Sequence, residues 1–132
     1  MAAYFHALDR HDWPLMEKLF SPAATFDFNR GQIVKDSAQQ IIAFIRGTRH
    51  AGGTFHMMGN QLVELSGDAA KVETYAVSNN LRPATAERPA RHDSQGLRYL
   101  DDMVREHGRW VIKTRFELVD WERHDLATGL VK

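Results

Sequence analysis

His56 lies in an apolar stretch, between Phe55 and Met57. Imidazole is the side chain that most readily takes or gives a proton near neutral pH. Held beside a carboxylate it would have a fixed tautomer and act as a general base or acid. The same position also suits a core histidine bonded to a backbone carbonyl. Asp9 follows Phe5 by one helical turn. A carboxylate at the edge of an apolar helix face costs free energy unless it finds a partner. It is either a site acid or a solvated group paired with Arg10. Tyr4 could donate its hydroxyl to a substrate oxygen and stabilise developing charge, or pack as an ordinary aromatic whose hydroxyl reaches water. With a step of ~100° per residue, Tyr4 and Asp9 stand ~140° apart on a helix. They would flank a cavity rather than touch.

Other chemistries lose ground. The chain has no cysteine, which removes disulfides, thiolate metal sites and cysteine nucleophiles. Its seven histidines, His6, His11, His50, His56, His92, His107 and His124, form no recognised metal-ligand spacing, and no metal or cofactor is expected. Neither a glycine-rich phosphate loop nor a Gly-x-Ser-x-Gly elbow is present. Lys plus Arg and Asp plus Glu both number 17. A nucleic-acid partner is not expected from this balance, because phosphate contacts usually require a basic excess. Zero net charge favours self-association. The first residues show no basic region followed by an apolar run, so no signal peptide is expected. No stretch approaches the ~20 apolar residues of a membrane span. A cytoplasmic location is the expectation, with which the lack of disulfides is compatible.

The positioning elements read as follows. Tyr4, Phe5 and Leu8 have helical spacing. Asp12 caps a second helix, predicted from Trp13 to about Phe20, with Pro14 in its first turn and Ser21-Pro22 ending it. Residues 24–29 alternate as a strand, Arg30-Gly31 turns, and Gln32-Ile33-Val34 returns. Asp36 or Ser37 caps a third helix with Ile41, Ile42, Phe44 and Ile45, stopping at Gly47. Long strands follow over 55–65, 70–80, 97–105 and 109–121. The last should present Trp110, Ile112, Thr114, Phe116 and Leu118 on one face. Helices followed by a meander of strands indicate one α+β domain spanning residues 1–132, with helices on one face of the sheet. The 81–95 stretch, with Pro83 and Pro89, is expected to be a mobile surface connection; a pocket lid is the sharper possibility.

Three runs together resemble SnoaL-like proteins of the nuclear-transport-factor-2-like superfamily: the opening from Tyr4 to Trp13 with Leu19-Phe20-Ser21-Pro22, the Thr54–Asn60 run around His56, and Gly96–Asp101 followed by Gly108-Arg109-Trp110. The resemblance implies a cone-shaped, curved antiparallel sheet wrapped around N-terminal helices, with a closed-ended pocket between them. The nearest patterns are similar to scytalone dehydratase and bile-acid 7α-dehydratase, which carry an aspartate on the first helix and a histidine on the strand after the third. Asp9 and His56 match those positions. Tyr4 matches a tyrosine of the bile-acid enzyme, and lindane dehydrochlorinase is similar in its Asp–His pair. The chain departs from these patterns at Val119, where the bile-acid enzyme has arginine. It departs again at Asn80, Leu81 or Arg82, where scytalone dehydratase has a second histidine, and at Phe28, where that enzyme has tyrosine. The resemblance also implies one or two more helical turns ahead of Tyr4.

From this follow His56, Asp9 and Tyr4 as candidate catalytic residues. Trp13, Phe28, Met58, Asn60, Asn80 and Tyr99 are candidate substrate contacts, although aromatic and Met residues at such spacings also suit plain core, and Asn60 beside Gly59 suits a bulge. Asp101 is expected to be structural. The expected activity is a cofactor-free, dehydratase-like lyase or isomerase acting on a small apolar cyclic molecule. The alternatives are a non-catalytic ligand binder, or an accessory subunit similar to the β subunit of ring-hydroxylating dioxygenases. A homodimer through the outer face of the sheet is expected.

Overall fold

The structure, a computed structural model, describes residues 1–48 and 52–127. Two short helices, two strands and a third helix precede four long strands: α1 (Ala2–Arg10), α2 (Trp13–Glu17), β1 (Phe20–Phe28), β2 (Ile33–Lys35), α3 (Ala38–Gly47), β3 (Thr54–Ser66), β4 (Ala69–Arg82), β5 (Arg91–Glu106) and β6 (Arg109–Leu126). The six strands form one curved, unclosed sheet in the order β2-β1-β6-β5-β4-β3. Every pairing is antiparallel except β1 with β6, which run parallel. The helices and the sheet share an apolar core of Tyr4, Phe5, Leu8, Met16, Phe26, Ile41, Ile45, Leu97 and Ile112. The architecture is α+β, as the order of elements predicts.

Local chemistry sets the helix ends. The Asp12 carboxylate accepts the Leu15 N–H at 3.0 Å, and the Ser37 hydroxyl accepts the Gln40 N–H at 3.3 Å. Such caps satisfy donors that a helix start leaves without partners. His11 ends α1 in the left-handed conformation. The second helix stops earlier than predicted. The Leu19 carbonyl accepts the Ile112 N–H at 2.8 Å, and Phe20 pairs with Ile112 at the start of β1. Pro22 therefore lies within a strand, in the irregular stretch between Phe20 and Thr25. A bulge tolerates a residue that lacks an N–H.

Two strands are longer than the sequence suggests. Asn80, Leu81 and Arg82 pair with Asp93, His92 and Arg91, so only residues 83–90 connect β4 to β5. About half of the expected 81–95 connection, residues 81–82 and 91–95, is ladder. A second difference lies in β6. Lys113 is an extra residue against β5, since Ile112 pairs with Met103 and Thr114 with Asp102. A bulge reverses which side alternate residues face. Ile112 and Arg115 are buried while Phe116 is exposed. The single face predicted from Trp110 to Leu118 is thus broken after Ile112. Arg115, Glu117 and Val119 turn toward the helices instead, paired with Asp101, Tyr99 and Leu97.

Near the open ends of β4, β5 and β6, Asp93 joins all three strands. It pairs with Arg82, Arg91 and His124. Burial alone would favour the protonated form. Hydrogen bonds from Arg91, His124 and Arg82 outweigh it and hold the carboxyl well below the usual carboxylate range. A folded-state value below the unfolded ~3.9 means stability that is present above about pH 4 and lost as acid protonates the folded form. Asp93→Asn is expected to lower stability at pH 7 and to flatten its decline toward pH 3, read by urea unfolding at both values. An acid decline as steep in the variant as in the parent would remove Asp93 as its source.

Candidate active site

Helix α1 passes over the first residues of β3, and one contact there joins the two elements chemically. The Asp9 Oδ1 lies 2.6 Å from His56 Nδ1 and accepts the Thr54 hydroxyl at 2.8 Å. Its Oδ2 accepts the His56 backbone N–H at 2.8 Å. The carboxylate therefore grips both the ring and the backbone of one residue. Burial pushes the Asp9 carboxyl up, but the hydrogen bonds from His56, the charge of its imidazolium and the Thr54 hydroxyl prevail, and the net direction is down. Ionised, Asp9 can only accept, so Nδ1 carries a proton and Nε2 is left as the basic nitrogen. The imidazole stacks on the Phe5 ring at a centroid distance of 5.6 Å. Its side chain is 4% exposed, against 22% for Asp9.

His56 forms part of the wall of a cavity of about 440 Å³ between the helices and the sheet. Tyr4, Leu8, Phe26, Phe28, Phe44, Ile45, Leu97 and Tyr99 supply its apolar and aromatic wall. Ser78, Asn80, Arg82, Gln95 and Glu117 supply polar groups. The volume lies within the ~300–1,000 Å³ of small-molecule sites. Asp9 stands behind His56 and is not part of the wall, so the ring connects the carboxylate to the cavity.

The two tyrosines are fixed from below. Arg115 and Asp101 are a fully buried ion pair, with Nε to Oδ1 at 2.7 Å and Nη2 to Oδ2 at 2.8 Å. The guanidinium lies 4.1 Å from the Tyr4 ring centroid and 4.6 Å from that of Tyr99. Burial works against the Arg115 charge, but the Asp101 charge and hydrogen bonds outweigh it and raise its proton affinity. The Tyr99 hydroxyl donates to Glu117 Oε1 at 3.4 Å. Burial, then the charge of Glu117, pushes the Tyr99 phenol well above its ordinary range, so it remains a hydrogen-bond donor.

The structure thus gathers Tyr4, Phe28, His56, Asn80 and Tyr99 around one space. It places three other candidates elsewhere. Trp13 stacks on His11 at 5.6 Å and lies 5.0 Å from the Arg46 guanidinium, at the junction of α2 and α3. Met58, 45% exposed, lines a different groove with Met57, Tyr75 and Trp121. Asn60 occupies the bulge between Met58 and Gln61, outside the cavity wall. The bulge explains the displacement of Asn60, because it ends the regular alternation that carries His56 inward; Met58 lies before it, in register with Ala76. Asp101 is structural, as the partner of Arg115. Ser78, Gln95, Arg82 and Glu117 were missed. Ser78 pairs with His56 and Gln95 with Ser78, so strand alternation could have found them had β5 been extended back through residue 91. Glu117 needed the Lys113 bulge, which leaves no signature in the sequence.

No group of three or more His, Asp or Glu side chains among the described residues could hold a metal ion; His50 lies outside the described residues. No helix among them is long and apolar enough to cross a membrane.

Helices packed on one side of a curved sheet, with an aspartate-held histidine on the wall of the cavity between them, define a class of small α+β domains. Residues 1–116 match the model of the SnoaL-like domain, and the chain belongs to that family. A comparison with curated proteins gives no match. Among solved structures, a provisionally assigned scytalone dehydratase from Novosphingobium aromaticivorans is similar at a TM-score of 0.77 and 20% identity, over 91% of this chain and 78% of that one. The hexachlorocyclohexane dehydrochlorinase LinA-type3 from Novosphingobium barchaimii is similar at 0.80 and 11%, over 99% and 88%. The protein Kfla4162 from Kribbella flavida is similar at 0.80 and 17%, over 92% and 86%. At these identities the likeness is one of fold.

Proposed function

We propose that the protein is a lyase or isomerase in which side chains alone carry the protons, with dehydration of a small cyclic hydroxy-ketone as its reaction. The observation that supports this is the Asp9–His56 contact on the cavity wall. In the proposed reaction His56 Nε2 takes a proton from the carbon next to the carbonyl. The C–H electron pair moves toward that carbonyl, and the Tyr4 hydroxyl donates to its oxygen as charge develops. The pair then returns to form the C=C bond. The C–O bond of the β-hydroxyl breaks, and the departing oxygen takes the proton from the imidazolium and leaves as water. His56 ends neutral. Asp9 stabilises the transient imidazolium and keeps Nε2 aimed at the substrate. Isomerisation uses the same first step, with the proton returned to a different carbon.

Two similar structures, a provisionally assigned dehydratase and a dehydrochlorinase, carry names that denote loss of water and of hydrogen chloride, and this supports elimination as the reaction class. The test is to incubate the protein with cyclic β-hydroxy-ketones and follow the enone absorbance. Asp9→Asn is expected to cut the rate by about ten-fold or more, because the amide no longer balances the imidazolium charge. Tyr4→Phe is expected to cost ~10²–10³-fold if its hydroxyl is the oxygen donor. Saturable binding with no elimination from any such ketone would leave a ligand-binding protein on this scaffold.

A further inference from the structure

The cavity is not uniform from end to end. Leu97 and Tyr99 line its deeper part, and along β4 the inward-facing residues run Ala76, Ser78, Asn80 and Arg82. The wall therefore changes from apolar to polar to cationic toward the end of the strand. We propose that this mouth binds an oxyanion, carboxylate or phosphate, carried by an otherwise apolar ring ligand, and that Arg82 receives it. The inference rests on the reading of the cavity as a ligand site.

Three observations carry it. First, Arg82 is a wall residue whose side chain is 44% exposed. Second, its orientation is fixed from behind. Nε donates to Asp93 Oδ2, while no group among the described residues accepts a hydrogen bond from either terminal Nη. A guanidinium tethered through Nε keeps a planar two-donor edge, which matches two oxygens of a carboxylate or phosphate. Holding that edge in place before binding lowers the ordering cost of association. Third, the surrounding charge is positive in balance at the tether. Arg82 and Arg91 share the single carboxylate of Asp93, and His124 donates to it as well. Glu122 is 3.9 Å from His124 and accepts from Gln95, and Glu117 is the acid of the cavity wall itself, where it accepts from Tyr99. A ligand seated with its ring against Tyr99 and Leu97 would bring a ring substituent to this edge.

Three probes of one shape test it: 2-naphthoate, 2-naphthyl phosphate and uncharged 2-naphthamide, titrated calorimetrically into the full chain. The parent is expected to bind at least one anion about ten-fold more tightly than the amide, because a charge-assisted hydrogen-bond pair is stronger than a neutral one even when partly screened by solvent. That advantage should shrink at high salt. Arg82→Gln should bring the anion-to-amide ratio to about one. Arg82→Lys should keep part of it, with circular dichroism verifying that both variants fold. Preference between the two anions identifies which oxyanion fits. Equal affinity for amide and anions in the parent overturns the proposal. So does an anion advantage that survives in Arg82→Gln, or failure of all three probes to bind. The lyase reading fails separately: an Arg82-dependent anion preference without turnover of any ketone sinks that reading alone, and turnover of neutral ketones without the preference sinks this one alone.

Discussion

His56→Ala is expected to reduce elimination by ~10²–10⁴-fold, the usual contribution of a positioned general base, while the protein still folds and still binds ring compounds. The asymmetry comes from how Asp9 is bound. Of its three contacts to Thr54 and residue 56, only the one to the imidazole is lost. The Thr54 hydroxyl and the backbone N–H of residue 56 remain as donors. The carboxylate is then not stranded, and α1 keeps its attachment to β3. The Phe5 ring loses its stacked neighbour, so a modest loss of stability is expected alongside the kinetic one. Affinity for an apolar ring should change little, since Tyr4, Phe28, Leu97 and Tyr99 still form the wall. The measurement is kcat and KM on an active ketone, with unfolding midpoints for both proteins. Added imidazole should restore part of the rate, because a small base can occupy the space of the lost ring. A rate that survives the substitution would remove His56 as the base.

The largest effect on stability is expected at the buried ion pair. Arg115 and Asp101 are both fully buried, and among the described residues Arg115 Nη1 has no hydrogen-bond partner. Removing one member leaves the other as an uncompensated charge in the core, which costs ~3–5 kcal/mol. Asp101→Leu or Arg115→Met alone should therefore lower the thermal midpoint by about 10 °C or more for a domain of this size. The double substitution should recover much of the loss, since an apolar pair of similar volume avoids desolvating two charges. The single changes should reach the site as well. The guanidinium packs against Tyr4 and Tyr99, so their rings lose the support that holds them at the wall, and ligand affinity should fall in the double variant even where stability is recovered. Thermal unfolding of the four proteins measures the coupling. Single variants costing under about 1 kcal/mol would contradict the buried-charge account.

Much of the architecture was legible in the chain. The spacing of Tyr4, Phe5 and Leu8, the cap at Asp12, a cap at Asp36 or Ser37, and the alternation of the later strands depend on interactions within a few residues. They mark helices and strands wherever the chain goes. The pairing of His56 with Asp9 was not legible in that way. It joins residues 47 apart, and periodicity alone left His56 as either a site group or an ordinary core histidine; resemblance to known patterns favoured the site. The tertiary structure decided what depends on register. The Gly59–Asn60 bulge removed Asn60 from the cavity wall, and the Lys113 bulge turned Arg115 and Glu117 inward and Phe116 outward. One inserted residue exchanges the two faces of everything beyond it, and neither bulge changes the local preference for extended backbone. The length of β4 and β5 followed the same rule. Asp93 ties Arg82 of β4 and His124 of β6 across the strands, and this long-range gain overrides a segment whose prolines and charges read locally as loop. The sequence by itself determined the types of element and the residues able to exchange protons. Pairing between distant strands determined which of those residues share a cavity, because side-chain direction in a sheet is set by the partner strand.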